Sequence, residues 1–307
     1  MNGIILVDKP RDCTSHDVVL ELRRILAEPR VGHCGTLDPM ATGLLVAALG
    51  KATRLFPFLS GEDKTYRGRI RLGLATDTYD AQGNPLGEEH TDIPPEEDIR
   101  LAMARYRGTI PQLPPAFSAK KYKGQPLYKR ARAGNETVRT ARPVTIHRFV
   151  LLGYDPPEAE IEVVCSSGTY IRSLAHDLGR DLGCGGHLSE LRRTASGGFK
   201  VEDALTLDRI RDLAGAGRAD AFLIPVEKVL TSYPQAVLDD AQVRMARFGQ
   251  AVPLERTEAQ AADMACPPAL EPKSFPVVRL FDRQGRLIAL ARQDPSKNVW
   301  RPFLLFE

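Results

Sequence analysis

The chain has 307 residues, 43% hydrophobic and 26% charged, a composition suited to one large globular domain, or a large and a small one, built on a real core. Its formal charge of +3 is too small to argue for nucleic acid by itself, so the distribution of charge has to decide that question. Five scattered cysteines without a CxxC pair argue against a disulfide framework or a zinc knuckle and for a reduced, cytosolic protein, and no stretch is apolar enough to span a membrane.

The N-terminus, Met1 to Asp8, has no basic region, and its apolar run is too short for a signal peptide. Ile4 to Val7 reads as a buried strand ending at Asp8-Lys9-Pro10. Thr14, with Asp17 three residues later, makes a helix N-cap box, and Val18, Leu22, Ile25 and Leu26 follow at helical spacing. Gly32 to Gly43 reads as a loop and Leu44 to Leu49 as a buried strand. Lys64 to Gly73 alternates, with Tyr66, Ile70 and Leu72 on one side and Arg67, Arg69 and Arg71 on the other. Pro95 to Arg107 reads as a helix with proline and acids in its first turn.

From Pro111 to Arg142 the chain turns basic. Lys120, Lys121, Lys123, Lys129, Arg130, Arg132, Arg139 and Arg142 stand against a single acid, Glu136. Such a segment can neutralise phosphates, or it is a solvated loop with no partner. Ile161, Val163 and Cys165 mark a strand, Ile171 to Leu182 an amphipathic helix, and Leu188 to Thr194 a further strand. A boundary falls near Ser232-Tyr233-Pro234. Beyond it come a helix (Asp239 to Phe248), a turn at Gly249-Gln250, and strands near Val277 to Phe281, Leu287 to Ala291 and Phe303 to Phe306. Ala259 to Pro276 reads as an Ala- and Pro-rich loop, and the tail holds a core only as a compact β module.

The most informative stretch runs from Arg30 to Gly43, where three glycines and Pro39 surround Asp38. Glycines permit positive φ and the close approach of a ligand, and Pro39 fixes the chain directly after the acid. From these residues alone, Asp38 either caps its own turn or is held out toward a ligand. His33 and Cys34 lack partners for a metal site.

This stretch resembles the catalytic loop of the bacterial tRNA pseudouridine-55 synthases, the TruB family. Asp8-Lys9-Pro10 with Thr14-Ser15-His16-Asp17, Lys64-Thr65-Tyr66-Arg67, Gly73 to Gly83, Pro115 to Lys121, Gly124 to Ala133, Ser167 to Leu174 and Leu188 to Thr194 are similar to its other motifs, in order. The similarity covers residues 1–230 closely. Arg244 to Val252 and Val278 to Ala291 loosely resemble a PUA-type module.

The resemblance implies an α+β fold: a mixed, largely antiparallel central sheet flanked by helices, then a small C-terminal PUA-like β domain. The expected division is 1–230 for catalysis, with a basic RNA-gripping insertion at about 111–142, and 231–307 for RNA binding. It implies an isomerase acting on uridine 55 of the tRNA T-stem-loop by base flipping, without metal or organic cofactor. The expected protein is a cytoplasmic monomer with no obligatory protein partner. Asp38 is implied as the essential carboxylate, Arg172 as its cation and Tyr66 as the residue against the base. Tyr170 and Leu191 are implied beside the base, and His33 as the brace for the opened loop. Lys9 is expected to position the loop or a phosphate, and Lys120, Lys121 and Lys123 to contact RNA. Each has a plainer reading: core for Tyr66, Tyr170 and Leu191, a solvated face for Arg172 and the lysines. A second functional reading is a tRNA folding factor in which catalysis is secondary.

Overall fold

A computed structural model of the chain describes residues 1–116, 139–254, 276–294, 296 and 299–306, with the backbone alone of residues 121–122 and 125–126. Lys120 and Lys123 therefore lie outside the described residues, and of Lys121 only the backbone is described.

In the first half, β1 (Gly3–Lys9) leads into α1 (Ser15–Leu26), β2 (Val31–Cys34), β3 (Thr42–Leu49), a short α2 (Phe56–Leu59) and β4 (Lys64–Leu72). Helix α3 (Glu96–Ala104) precedes β5 (Gly108–Gln112), the two-residue strands β6 (Lys121–Tyr122) and β7 (Gln125–Pro126), β8 (Arg142–Asp155) and β9 (Glu158–Cys165). Helix α4 (Ile171–Asp181), β10 (Gly186–Ser196), β11 (Phe199–Lys200) and α5 (Leu207–Gly215) complete this part. The tail contributes β12 (Gln235–Val237), α6 (Asp240–Arg247), β13 (Val277–Phe281), β14 (Leu287–Asp294) and β15 (Val299–Leu305).

Among the described residues, nine strands form one sheet in the order β1-β3-β10-β4-β9-β8-β5, with β2 on β3 and β11 on β10. Within it only β3 and β10 run parallel, so the sheet is mixed and largely antiparallel, as expected. At β3 it forks. β10 takes the start of the strand, Arg192 opposite Thr42, while β2 takes the rest, Cys34 opposite Val46. Residues 35–41, which connect β2 back into β3, lie at that fork. Gly43 makes the junction possible: its φ is 96°, and a Cβ there would sit 2.3 Å from the Arg193 carbonyl oxygen.

The elements follow from local chemistry. Thr14 Oγ1 accepts from the Asp17 amide at 3.1 Å and Asp17 Oδ2 accepts from the Thr14 amide at 2.8 Å, the N-cap box expected of α1. Val18, Val19 and Leu22 of α1 and Ile210 and Leu213 of α5 cover Ile5, Val7, Leu45 and Ala47 on one face. The opposite face of β1 and β3 packs with Phe58 and with Phe281, Leu287 and Leu290 of the tail. Over β4, β8 and β9, Ile99 and Met103 of α3 and Leu174, Ala175 and Leu178 of α4 bury Ile70, Phe149, Ile161 and Val163. The tail keeps a core of its own around Leu238, Val243, Ile288 and Trp300, with a second sheet in the order β12-β13-β14-β15. That is the compact β module its size required.

Two expectations change. The loop from Gly32 to Gly43 is strand at its start, because Val31 and Cys34 are buried and their backbone pairs with β3. The basic segment ends inside strands, with Pro111 opposite Pro143 and Gln112 opposite Arg142. The long strand β8 carries proline, glycine and a mixed polar face, which hide its period.

Candidate active site

Asp38 sits on the connection at the fork. The turn is closed by its backbone carbonyl, which accepts from the Ala41 amide at 3.0 Å. Its carboxylate takes no part in that turn, which settles the question of capping. Arg172 Nη2 donates to Asp38 Oδ1 at 2.9 Å, a charge-assisted hydrogen bond, and Nε lies 2.9 Å from Oδ2 as an ion pair. The Asp38 side chain is 33% exposed and that of Arg172 5%, so the carboxylate faces the cleft and the guanidinium stands behind it.

The loop is anchored from beneath. Ser15 Oγ accepts from the Leu37 amide at 2.8 Å and donates to the Leu37 carbonyl at 3.2 Å. Lys9 Nζ donates to the carbonyls of Pro10 (2.8 Å), Cys13 (2.7 Å) and Pro39 (3.3 Å). Lys9 is 0% exposed. Its grouping with RNA-contacting residues is therefore corrected: three carbonyls take its three donors, and what it positions is the loop.

Arg172 serves two acids. Its Nη1 lies 3.3 Å from Asp80 Oδ2 and donates to the Thr78 carbonyl at 3.1 Å. Burial pushes the Asp38 carboxyl above the ordinary carboxylate range, Arg172 pulls it down, and Asp80 pushes it up again. The cation expected beside Asp38 is present, but burial still sets the direction.

The cleft has a volume of about 280 Å³, and Asp38, Tyr66, Tyr170, Arg172 and Leu191 all line it. It lies at the small end of ligand pockets. Tyr66, on the inward face of β4, is 8% exposed. Burial pushes its hydroxyl up from its ordinary range, and the positive charge of Arg193 pulls the other way. Tyr170 caps α4, and the buried Gln112 clamps its backbone: Tyr170 N donates to Oε1 at 2.8 Å and Nε2 donates to Tyr170 O at 3.0 Å. His33 lies on β2 opposite Ala47, outside the cleft wall. Its Nδ1 is buried without a hydrogen-bond partner among the described residues, and burial lowers its basicity.

Reasoning from sequence missed Asp80, Gln112 and Arg193. Arg193 is 1% exposed; its Nε donates to Leu44 O at 2.7 Å and its Nη2 to Gly35 O at 3.1 Å. It therefore ties β3 and the Asp38 loop to β10. A signal existed: Arg193 shares the parity of Leu191 on an alternating strand, so one of two adjacent arginines had to point inward.

The arrangement offers an aimed carboxylate, a phenol and buried cations around a space for a flat ring. Two family models match. The TruB family pseudouridylate synthase N-terminal domain covers residues 23–171, and the tRNA pseudouridylate synthase B C-terminal domain covers 172–231. A tRNA pseudouridine synthase B of Aromatoleum aromaticum is 46% identical over 81% of this chain and 80% of its own length. One of Bacillus thuringiensis is 38% identical over 96% and 94%. Among solved structures, an H/ACA ribonucleoprotein bound to a substrate RNA containing 2′-deoxyuridine superposes with a TM-score of 0.72 at 25% identity, over 99% of this chain and 85% of that one. A Cbf5-Nop10-Gar1 complex gives 0.70 at 29%, over 99% and 84%.

Proposed function

Because the chain belongs to the TruB family of pseudouridylate synthases, we propose that it converts uridine 55 in the T-loop of tRNA to pseudouridine, with Asp38 as the essential carboxylate. The observation that carries this reading is the Asp38–Arg172 pair, both carboxylate oxygens held at 2.9 Å at the edge of a cleft. The reaction is an isomerisation. The bond from N1 to C1′ breaks, the base turns, and C5 bonds to C1′; C5 loses its proton and N1 gains one, so no co-reactant is needed. A fixed carboxylate serves as nucleophile or as the countercharge to a sugar that turns positive.

The other roles follow from placement. Tyr66 lies against the base, and its hydroxyl, beside the Arg193 cation in the cleft wall, assists transfer of the C5 proton. Leu191 and Tyr170 pack beside the base. His33, just outside the wall, braces the T-loop once the uridine is extruded. Lys120, Lys121 and Lys123 neutralise tRNA phosphates. We assign residues 1–230 to catalysis and 231–307 to a PUA-like RNA-binding module. In support, the matched family models end at residue 231, and the second sheet begins at Gln235. Among the described residues no helix is long and apolar enough to cross a membrane. The protein acts as a monomer in the cytoplasm, where its substrate is.

The test is single-turnover pseudouridine formation by Asp38→Asn on T-stem-loop RNA. A loss of about 10³-fold or more with tRNA affinity retained is expected. A wild-type rate would remove Asp38 from the chemistry, and free uracil in the products would replace the isomerase with a hydrolase.

A further inference from the structure

Residues 76–80 form the turn that brings Asp80 and the Thr78 carbonyl to Arg172. The turn is closely tied. Thr76 Oγ1 donates to Asp80 O at 2.7 Å, Thr78 Oγ1 donates to Asp80 Oδ1 at 2.6 Å, and the Leu188 amide donates to Tyr79 O at 3.0 Å. Yet Tyr79 adopts a φ of 66°, in the left-handed region that side chains rarely enter. Beyond the Leu188 bond from β10, the Tyr79 side chain has a partner that helps hold that conformation.

The partner is on α4. His176 lies one helical turn after Arg172, and its ring stacks on Tyr79 with centroids 3.7 Å apart and planes at 13°. The turn thus grips one helix face at two points, through Asp80 and Thr78 on Arg172 and through the Tyr79 ring on His176. The ring face is the part of His176 in use, since its Nδ1 is buried with no hydrogen-bond partner among the described residues. Burial holds the imidazole below its ordinary basicity; Asp177 opposes this, and Arg180 and Arg139 reinforce it, so a neutral ring faces Tyr79. A third contact arrives from the basic segment: Arg139 Nη1 donates to the Tyr79 hydroxyl at 3.4 Å and to the Pro114 carbonyl at 3.3 Å. Neither Tyr79 nor His176 lines the cleft.

We propose that the Tyr79–His176 stack is a positioning device, which holds residues 76–80 so that Asp80 and Thr78 fix the Arg172 guanidinium in the plane where it meets Asp38. This rests on the role of Asp38 proposed above. A displacement of about 1 Å at such a group lowers rates by up to about 10²-fold.

The experiment measures single-turnover pseudouridine formation on T-stem-loop RNA, with Kd from filter binding. His176→Ala is expected to be about 10-fold slower with Kd unchanged. His176→Phe, which keeps a flat ring, recovers most of the rate. Tyr79→Gly removes the ring but relieves the backbone, and it is as slow as His176→Ala. In an Asp80→Asn background, His176→Ala causes no further slowing, because both act through the hold on Arg172. A wild-type rate for His176→Ala or Tyr79→Gly overturns the inference, as do additive effects in the double variant. A wild-type protein that makes no pseudouridine overturns the functional reading and this inference with it; an active wild type matched by His176→Ala overturns the inference alone.

Discussion

Arg172→Met removes the guanidinium while retaining an unbranched side chain, and it strands two acids at once. The Asp80 side chain is 6% exposed, so its pairing counts as buried, whereas Asp38 is partly in water. Breaking a buried pair costs about 3–5 kcal/mol and a screened one about 0–1 kcal/mol; with both broken, about 3–6 kcal/mol is expected. For a chain of this size that lowers Tm by roughly 5–10 °C, readable by circular dichroism. The chemistry should change in a more specific way. Burial and Asp80 already push the Asp38 carboxyl up, and Arg172 is the main force against them. Without it the pKa climbs further. If turnover requires ionised Asp38, the acid limb of the single-turnover rate profile moves to higher pH, and the variant regains part of its rate as pH rises above neutrality. A uniform decrease with an unmoved acid limb would refute the claim that Arg172 keeps Asp38 ionised. An unchanged Tm would refute the buried pair with Asp80.

Lys9→Met leaves the carbonyls of Pro10, Cys13 and Pro39 without their donor. It should destabilise the fold by about 1–3 kcal/mol and slow turnover at unchanged tRNA affinity; weakened binding with an unaltered Tm would return Lys9 to a phosphate. Tyr66→Phe keeps the ring and should lower the single-turnover rate by about 10²-fold if the hydroxyl moves a proton, while equal rates would leave it a packing residue. Changing Lys120, Lys121 and Lys123 together to Ala should flatten the plot of log Kd against log salt by up to about 0.9 for each phosphate no longer neutralised; an unaltered slope in filter binding contradicts a phosphate role. Asp38→Asn should melt no lower than wild type. A carboxyl raised above its unfolded value contributes stability below that value and loses it as pH climbs through the raised pKa, so at neutral pH the ionised group is a liability. A markedly lower Tm would show that the ion pair outweighs burial.

Much of this was legible because it is periodic or local. The parity of Tyr66, Ile70 and Leu72 placed one face of β4 inward, and Thr14 with Asp17 announced α1. The ordered motifs then attached Arg172 to Asp38, although 134 residues separate them. What stayed hidden depends on long-range packing. Nothing near Asp80 says that it will share a guanidinium with Asp38, since its local hydrogen bonds to Thr78 and Gln82 look like those of any turn. Lys9 looked exposed by type, and only the fold shows carbonyls converging on its ammonium. The strand β2 was concealed by Gly32 in a glycine-rich stretch, and its pairing with β3 overrides local propensity.

The root of the basic segment is tied to the helix that carries Arg172. The segment leaves from β5 and returns to β8, which pair at Gln112 and Arg142. Gln112 is also the residue whose side chain clamps Tyr170, the cap of α4, and Arg172 stands in the first turn of that helix. Ser173 Oγ adds a bond to the Leu113 carbonyl at 2.9 Å, so side-chain bonds join the strand end to the helix start. On the other side of the cleft, Arg193 fastens the Asp38 loop to β10, and Lys9 and Ser15 fasten it to the start of the chain. Asp38 and Arg172 thus come from two separately braced supports that meet at the fork of the sheet.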